Sequence, residues 1–222
     1  SLGLHRLKGL RGDTELFNVV AEREDADDGL NLNPLIGREH ELGILSDCWR
    51  QASLGNSQVV LVGAEAGVGK SRLFEAFHET LAEQKMTYVF GRGSAYHISS
   101  ALWPVSRILE QLPGLDNADL VARLSGLETL ADRFELSRED CVPFLADLLG
   151  LPTEGKYDPF EGAPERRKQR TLESIVDVVL GLADDAPLLF VVEDLHWIDA
   201  STLELISALI EESSSSQIML VL

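Results

Sequence analysis

The stretch from Val59 to Phe77, VVLVGAEAGVGKSRLFEAF, constrains the fold more than any other part of the chain. Val59 to Val62 is a short apolar, β-branched run of the kind buried on both faces of a parallel sheet. Gly67 and Gly69 follow, where a backbone without side chains can approach a ligand closely and adopt torsions closed to other residues. From Lys70 the period becomes helical, with Leu73, Phe74, Phe77 and Leu81 on one stripe. Strand, glycine-rich loop and helix thus succeed one another without interruption. The loop opens onto a helix N-terminus, where unpaired N–H groups and the positive end of the helix dipole attract phosphate.

These residues spell a Walker A motif: Gly63, Ala64, Glu65, Ala66, Gly67, Val68, Gly69, Lys70, Ser71 and Arg72 form the expected cradle for ATP. Lys70 is expected to reach the β and γ phosphates, and the Ser71 hydroxyl to ligate Mg²⁺. The motif departs from its pattern once. The first glycine position holds Ala64, the mildest replacement, and Gly63 sits one residue early.

A second stretch, LLFVVEDLHWIDASTLELI from Leu188 to Ile206, complements the first. Leu188 to Val192 is a continuous apolar strand ending in two carboxylates, Glu193 and Asp194, at the edge where open α/β sheets bind ligands. This is Walker B chemistry. One carboxylate holds Mg²⁺ and its neighbour orients or deprotonates the attacking water. Position after the strand makes Glu193 the metal-side residue and Asp194 the water-activating one; since the first residue of the pair is usually Asp, the reverse assignment stays open. Asp199 or Ser201 is expected to cap a helix with Leu203, Ile206 and Ile210 on one face, and Ile218 to Leu222 begins another buried strand.

Composition narrows the class. A chain of 222 residues with 45% hydrophobic content can fill a sizeable core. With 37 acidic and 19 basic residues the formal charge is −18, which repels nucleic acid and anionic membranes and argues against direct binding to either. No apolar run reaches the roughly 18 residues of a membrane span, and no signal peptide is legible. Cys48 and Cys141 lack metal-ligand spacing and read as buried free thiols of a reducing cytoplasm. Ser1 in place of methionine and the apolar run at Leu222 suggest a piece of a longer protein.

The remaining segments organise around the two motifs. Residues 1–20 hold a turn signal at Arg11-Gly12-Asp13 and a strand expected at Glu15–Val20, and the acidic stretch 21–33 reads as a linker. A helix with Leu42, Leu45, Trp49 and Ala52 at helical spacing follows Pro34 to Arg38. Thr87 to Phe90 is a strand expected to end at Gly91. Tyr96 and His97, beside Trp103 and Pro104, have no partner at a catalytic spacing and read as structural or nucleotide-proximal. Short helices are expected between Ala101 and Gly150, including Ala118–Phe134 and one capped by Ser137 with Asp140. A Pro/Gly-rich loop spans Leu151–Pro164, and a long helix Glu165–Ala183. Its Arg166, Arg167, Lys168 and Arg170 read as a solvated basic face, the alternative being a contact with nucleotide phosphates or a partner domain.

Together, "GREHEL", "GAEAGVGKSRL" and "EDLHWIDASTLELI" resemble the signal-transduction P-loop ATPase of bacterial class III adenylate cyclases, in which a P-loop ATPase and helical repeats follow the cyclase domain. A similar ATPase occurs in LuxR-type regulators and kinase-linked sensors. The resemblance implies a three-layer α/β P-loop domain over 34–222 with a parallel sheet and a helical insertion at about 92–164, truncated before its last strands and a winged-helix region. It also implies that Leu35, Ile36, Gly37 and Arg38 line the adenine pocket, and that an arginine near the phosphates, for which Arg38, Arg72 and Arg92 are the candidates, stabilises the transferred phosphoryl group. Residues 1–20 resemble the C-terminal tail of a class III cyclase domain. The function implied is an ATP·Mg-binding, slowly hydrolysing cytoplasmic module that regulates an attached cyclase and contacts the cyclase and helical-repeat domains; a homo-oligomer is within what the resemblance allows. The alternative is a non-hydrolysing nucleotide-dependent interaction module of a LuxR-type regulator.

Overall fold

The computed structural model describes residues 3–6, 13–16, 35–65, 67–116, 119–153 and 155–222. Backbone contacts divide the chain into two compact units, 1–34 and 35–222. In the first, β1 (Gly3–Arg6) pairs antiparallel with β2 (Asp13–Leu16), Gly3 opposite Leu16 and Arg6 opposite Asp13. The strand expected at Glu15–Val20 therefore starts earlier, and Asp13, expected in a turn, is already paired, because cross-strand pairing sets the limits. Residues 11, 12 and 17–20 and the linker 21–33 lie outside the described residues.

The second unit runs α1 (Glu39–Ala52), β3 (Gln58–Val60), α2 (Lys70–Thr80), β4 (Thr87–Arg92), α3 (Trp103–Glu110), α4 (Leu120–Arg133), α5 (Arg138–Leu148), α6 (Pro164–Asp185), β5 (Leu188–Glu193), a single 3₁₀ turn at Leu195–Trp197, α7 (Ala200–Glu212) and β6 (Ile218–Val221). The four strands form one parallel sheet in the order β3-β6-β5-β4. Parallel neighbours need crossover connections, and the intervening helices supply them.

Alternation along the strands builds three layers. Leu188, Phe190 and Val192 of β5, with Ile218 and Leu220 of β6, enter one core with α3 to α7. Leu189, Val191, Met219 and Val221 face the other way, onto α1 and α2. Every residue of β5 is buried, which is why its sequence shows no polar alternation. The α2 stripe of Leu73, Phe74, Phe77 and Leu81 is buried as expected, and a side chain as enclosed as Phe77, 1% exposed, contributes about 1.5–3 kcal/mol. On α1, Leu45, Trp49 and Ala52 are buried and Leu42 packs against them.

Several expectations are corrected. The phosphate-loop strand is not buried on both faces: Val59 is 45% and Leu61 73% exposed, while Val60 and Val62 pack inward. Among the described residues β3 lies at the sheet edge, paired with β6 alone, so one row of its side chains meets solvent. β4 does not stop at Gly91 but runs on to Arg92, carried by its pairing with β5. On α7 the buried stripe is Thr202, Leu205, Ile206 and Leu209, whereas Leu203 and Ile210 are exposed. α4 begins at Leu120, with Asp119 accepting from the Val121 N–H as its cap, and α6 reaches from Pro164 to Asp185. Ser137 caps α5 as expected, accepting from the Asp140 N–H.

The basic run at the start of α6 is largely neutralised within the chain. Arg167 pairs with Asp147 at 3.1 Å, Lys168 with Glu204 at 2.6 Å, and Arg170 with Asp140 and Glu173. Cys141 is a buried free thiol, but Cys48 is only partly buried.

Candidate functional site

The carboxyl ends of β3 and β5 bring the two motifs together. Leu61, Val62, Lys70, Ser71, Phe74, Val192, Glu193, Asp194, Leu195, His196 and Leu222 line one cavity of about 260 Å³. Lys70 and Glu193, 123 positions apart in sequence, thus meet because β6, between β3 and β5, holds their strands in one sheet. Two larger cavities, of about 430 and 810 Å³, lie among α5, α6 and the loop after α5, and no phosphate-loop residue lines either.

The loop is shaped by its glycines. Gly67 has φ +83° and Gly69 φ +89°, the left-handed region in which a side chain is strained, and Gly69 occupies the N-cap of α2. No side chain caps that helix, so its first N–H groups point into the loop with the dipole behind them. Gly63, Ala64 and Glu65 are exposed along the loop, and Ala66 lies outside the described residues. Lys70 folds back across it, its Nζ donating to the Ala64 carbonyl at 3.2 Å. Ala64, at the first glycine position, is itself exposed.

The arginines go to three different places. Arg38 donates to Glu41 Oε1 at 2.6 Å and to the Val68 carbonyl at 3.3 Å, tying the segment before α1 to the phosphate loop. Beside it, Leu35 packs on the α1/α2 core, Ile36 is 82% exposed, and Gly37 has φ +72°. Arg72 lies along α2, 3.0 Å from Glu79 and 3.8 Å from Glu75, and does not line the cavity. Arg92 donates to Glu193 Oε2 from Nη2 at 2.6 Å and from Nε at 3.1 Å, and its Nε lies 4.0 Å from Asp194 Oδ2. Arg92 and Glu193 are register partners at the ends of β4 and β5, so pairing alone sets them side by side.

The carboxylates differ in setting. The Glu193 side chain is 7% exposed and that of Asp194 40%. Asp194 adopts φ +57°, turning the chain sharply out of β5. Strain of this kind, at about 1–3 kcal/mol, persists where surrounding contacts hold it, and here Gly93 does so. Its N–H donates to the Glu193 carbonyl at 2.9 Å, and a Cβ at Gly93 would stand 2.4 Å from the Asp194 carbonyl oxygen. Asp199 then caps α7, accepting from the N–H groups of Ser201 at 2.9 Å and Thr202 at 3.1 Å and from the Thr202 hydroxyl. The same carboxylate accepts from the N–H of Leu102 at 3.1 Å, ahead of α3.

Ser71, Glu193 and Asp194 offer only oxygen donors, the chemistry of a hard cation. No group of three or more His, Cys, Asp or Glu residues able to hold a metal exists among the described residues. That donor set fits magnesium, which takes one or two carboxylates and completes its shell with water and substrate phosphates rather than a protein cage. His97 stacks on Trp103 with ring centroids 4.2 Å apart, while Tyr96 is 95% exposed. Sequence reasoning missed Gly93, His196, the Arg92–Glu193 pair and the second role of Asp199. The HWID run after the carboxylates was the only local signal for any of them.

Residues 34–222 match the family model described as the AAA ATPase domain. An uncharacterized protein of Rhizobium meliloti (strain 1021) is 23% identical over 208 residues, covering 92% of this chain and 20% of that protein. The chain thus spans a fifth of the length of that relative. No solved structure matches the chain.

Proposed function

Because the chain belongs to the AAA ATPase domain family through residues 34–222, we propose that it binds ATP with Mg²⁺, hydrolyses it slowly, and switches an attached output domain. The observation that carries this reading is the convergence of Lys70, Ser71, Glu193 and Asp194 on one cavity beside an uncapped helix N-terminus. Lys70 exchanges its bond to the Ala64 carbonyl for the β and γ phosphates, and the N–H groups of residues 67–71 take the remaining oxygens. Ser71 and Glu193 would hold a Mg²⁺ ion, which when bound would neutralise charge on the phosphates. Asp194, the more exposed carboxylate, orients the attacking water and takes its proton as the bond from the γ phosphorus to the bridging oxygen breaks, giving ADP and phosphate. Leu35, Ile36, Gly37 and Arg38 flank the adenine, and the Arg38 bond to Val68 couples that flank to the phosphate loop.

The output domain in this reading is a class III adenylate cyclase, making the protein part of cAMP signalling in the cytoplasm. Residues 1–20 are the cyclase tail, 21–33 the linker and 34–222 the ATPase, with a helical insertion at about 92–164. The boundary between the two compact units, after residue 34, supports the start of the ATPase there. No helix among the described residues is long and apolar enough to cross a membrane.

Calorimetric titration with ATP tests the nucleotide reading. Lys70→Ala is expected to weaken binding by more than about 1.5 kcal/mol, the lower end for a hydrogen bond to a charged group. Equal affinity in variant and parent overturns the phosphate-loop assignment.

A further inference from the structure

Glu193 stands between two claimants. On one side it lines the cavity with Lys70 and Ser71; on the other it accepts both Arg92 hydrogen bonds on the single oxygen Oε2. Arg92 is not among the residues that line the cavity, and it reaches the site through the carboxylates at the end of β5. A carboxylate as buried as Glu193 needs a compensating cation, and in this arrangement Arg92 supplies it. A divalent ion in the cavity draws on the same carboxylate. Two cations sharing one carboxylate repel each other across a weakly screened gap.

We propose that Arg92 competes with Mg²⁺ for the Glu193 carboxylate, and so sets how strongly the ion reinforces ATP binding. Arg92 is a positioning residue in this scheme, acting through Glu193 without touching the nucleotide. Its side chain is 50% exposed, so it can withdraw toward water at little desolvation cost. The Phe90 ring, 5.6 Å from the guanidinium carbon, gives Arg92 a cation–π contact besides Glu193. When Mg²⁺ arrives, the ion replaces the guanidinium as the counter-charge of Glu193; when it leaves, Arg92 returns. The ion pair thereby keeps the buried carboxylate compensated in both states.

The inference rests on the ATP·Mg reading of the cavity, and the experiment separates the two. ATP affinity of the whole chain is measured by calorimetry in Mg²⁺ and in EDTA, and the ratio of the two dissociation constants is compared across variants. Arg92→Gln removes the competing charge, and the ratio is expected to rise roughly threefold or more, within the range of an ion pair with one half-exposed partner. The affinity in EDTA is expected to stay within about twofold of the parent, since Arg92 does not line the cavity that would hold the phosphates. The gain is expected to vanish when Arg92→Gln is placed on Glu193→Gln, because the effect runs through that carboxylate. Arg92→Lys keeps a cation for Glu193 and is expected to fall between, so it serves if Arg92→Gln does not fold. A ratio unchanged in folded Arg92 variants that bind ATP overturns the competition. So does a gain of the same size on Glu193→Gln, which would mark a diffuse field effect. A parent chain that binds no ATP overturns the ATP reading itself and this inference with it.

Discussion

Gly93 follows the end of β4 and packs against the chain leaving β5, and replacing it by alanine measures how tightly that edge is built. The added Cβ would stand 2.4 Å from the Asp194 carbonyl oxygen, 3.1 Å from the Trp197 carbonyl carbon and 3.2 Å from Ile198 Cγ2. Two of these three are backbone atoms that no rotamer change can move aside. Relief therefore requires the strand ends to separate, at the usual overpacking cost of about 1–3 kcal/mol. Separation also lengthens the Gly93 N–H bond to the Glu193 carbonyl, worth about 1 kcal/mol. The expected loss is about 2–4 kcal/mol, which for a unit of this size lowers Tm by about 5–10 °C. Gly43→Ala is the matched control: it sits in α1 with nothing within 4 Å of its added Cβ, and is expected to gain about 0.5–1 kcal/mol from helix propensity alone. Guanidinium unfolding followed by circular dichroism reads both. A Gly93→Ala chain within about 0.5 kcal/mol of the parent, beside a normal gain for Gly43→Ala, would refute the close approach of the two strand ends.

Burial pushes the Cys141 thiol up to about 11, so iodoacetamide at about pH 8 should modify Cys48 in the native protein and reach Cys141 only in denaturant; native labelling of Cys141 by peptide mass spectrometry would contradict the packing of α5 on α6. Burial alone would raise the Glu128 carboxyl, but hydrogen bonds from Lys156 and Tyr157 outweigh it and hold the group below its ordinary value. A carboxyl depressed by folding contributes stability above its unfolded pKa and loses it as pH falls through the folded one, so the destabilisation caused by Glu128→Gln should hold steady from about pH 7 to about pH 5 and narrow as the pH falls below the ordinary value of 4.5 in urea titrations; a constant gap would show that the ionised carboxylate is not what ties the loop after α5 to α4.

The two motif-bearing stretches were legible because each encodes its own local structure. An apolar strand, a glycine loop and a helical stripe are written within nineteen consecutive positions, from Val59 to Phe77. What depends on neighbours was not. The apolar run Val59–Val62 looks the same in a central strand and in one exposed along a row, and only pairing decides that Val59 and Leu61 meet solvent. On α7, Leu203, Leu205, Ile206, Leu209 and Ile210 offer two overlapping stripes, and packing under the sheet chose the one through Leu205 and Leu209. Arg92 and Glu193 are a hundred and one residues apart, and no local pattern announces that β4 and β5 end level with each other. The Glu128 knot with Lys156 and Tyr157 was illegible for the same reason.

Asp199 restricts which sequences can replace it more than its role as a helix cap implies. Asp, Asn, Ser and Thr are near-equivalent at an ordinary N-cap. Here Oδ1 accepts from the N–H groups of Ser201 and Thr202, while Oδ2 accepts from the Leu102 N–H and the Thr202 hydroxyl. Asn would keep one oxygen and turn an NH₂ toward the donors of the other, and Ser or Thr has a single oxygen for all of them. A library randomised at this codon and selected for folding should accordingly return Asp almost alone, and a profile built from α7 by itself would wrongly score the other caps as interchangeable.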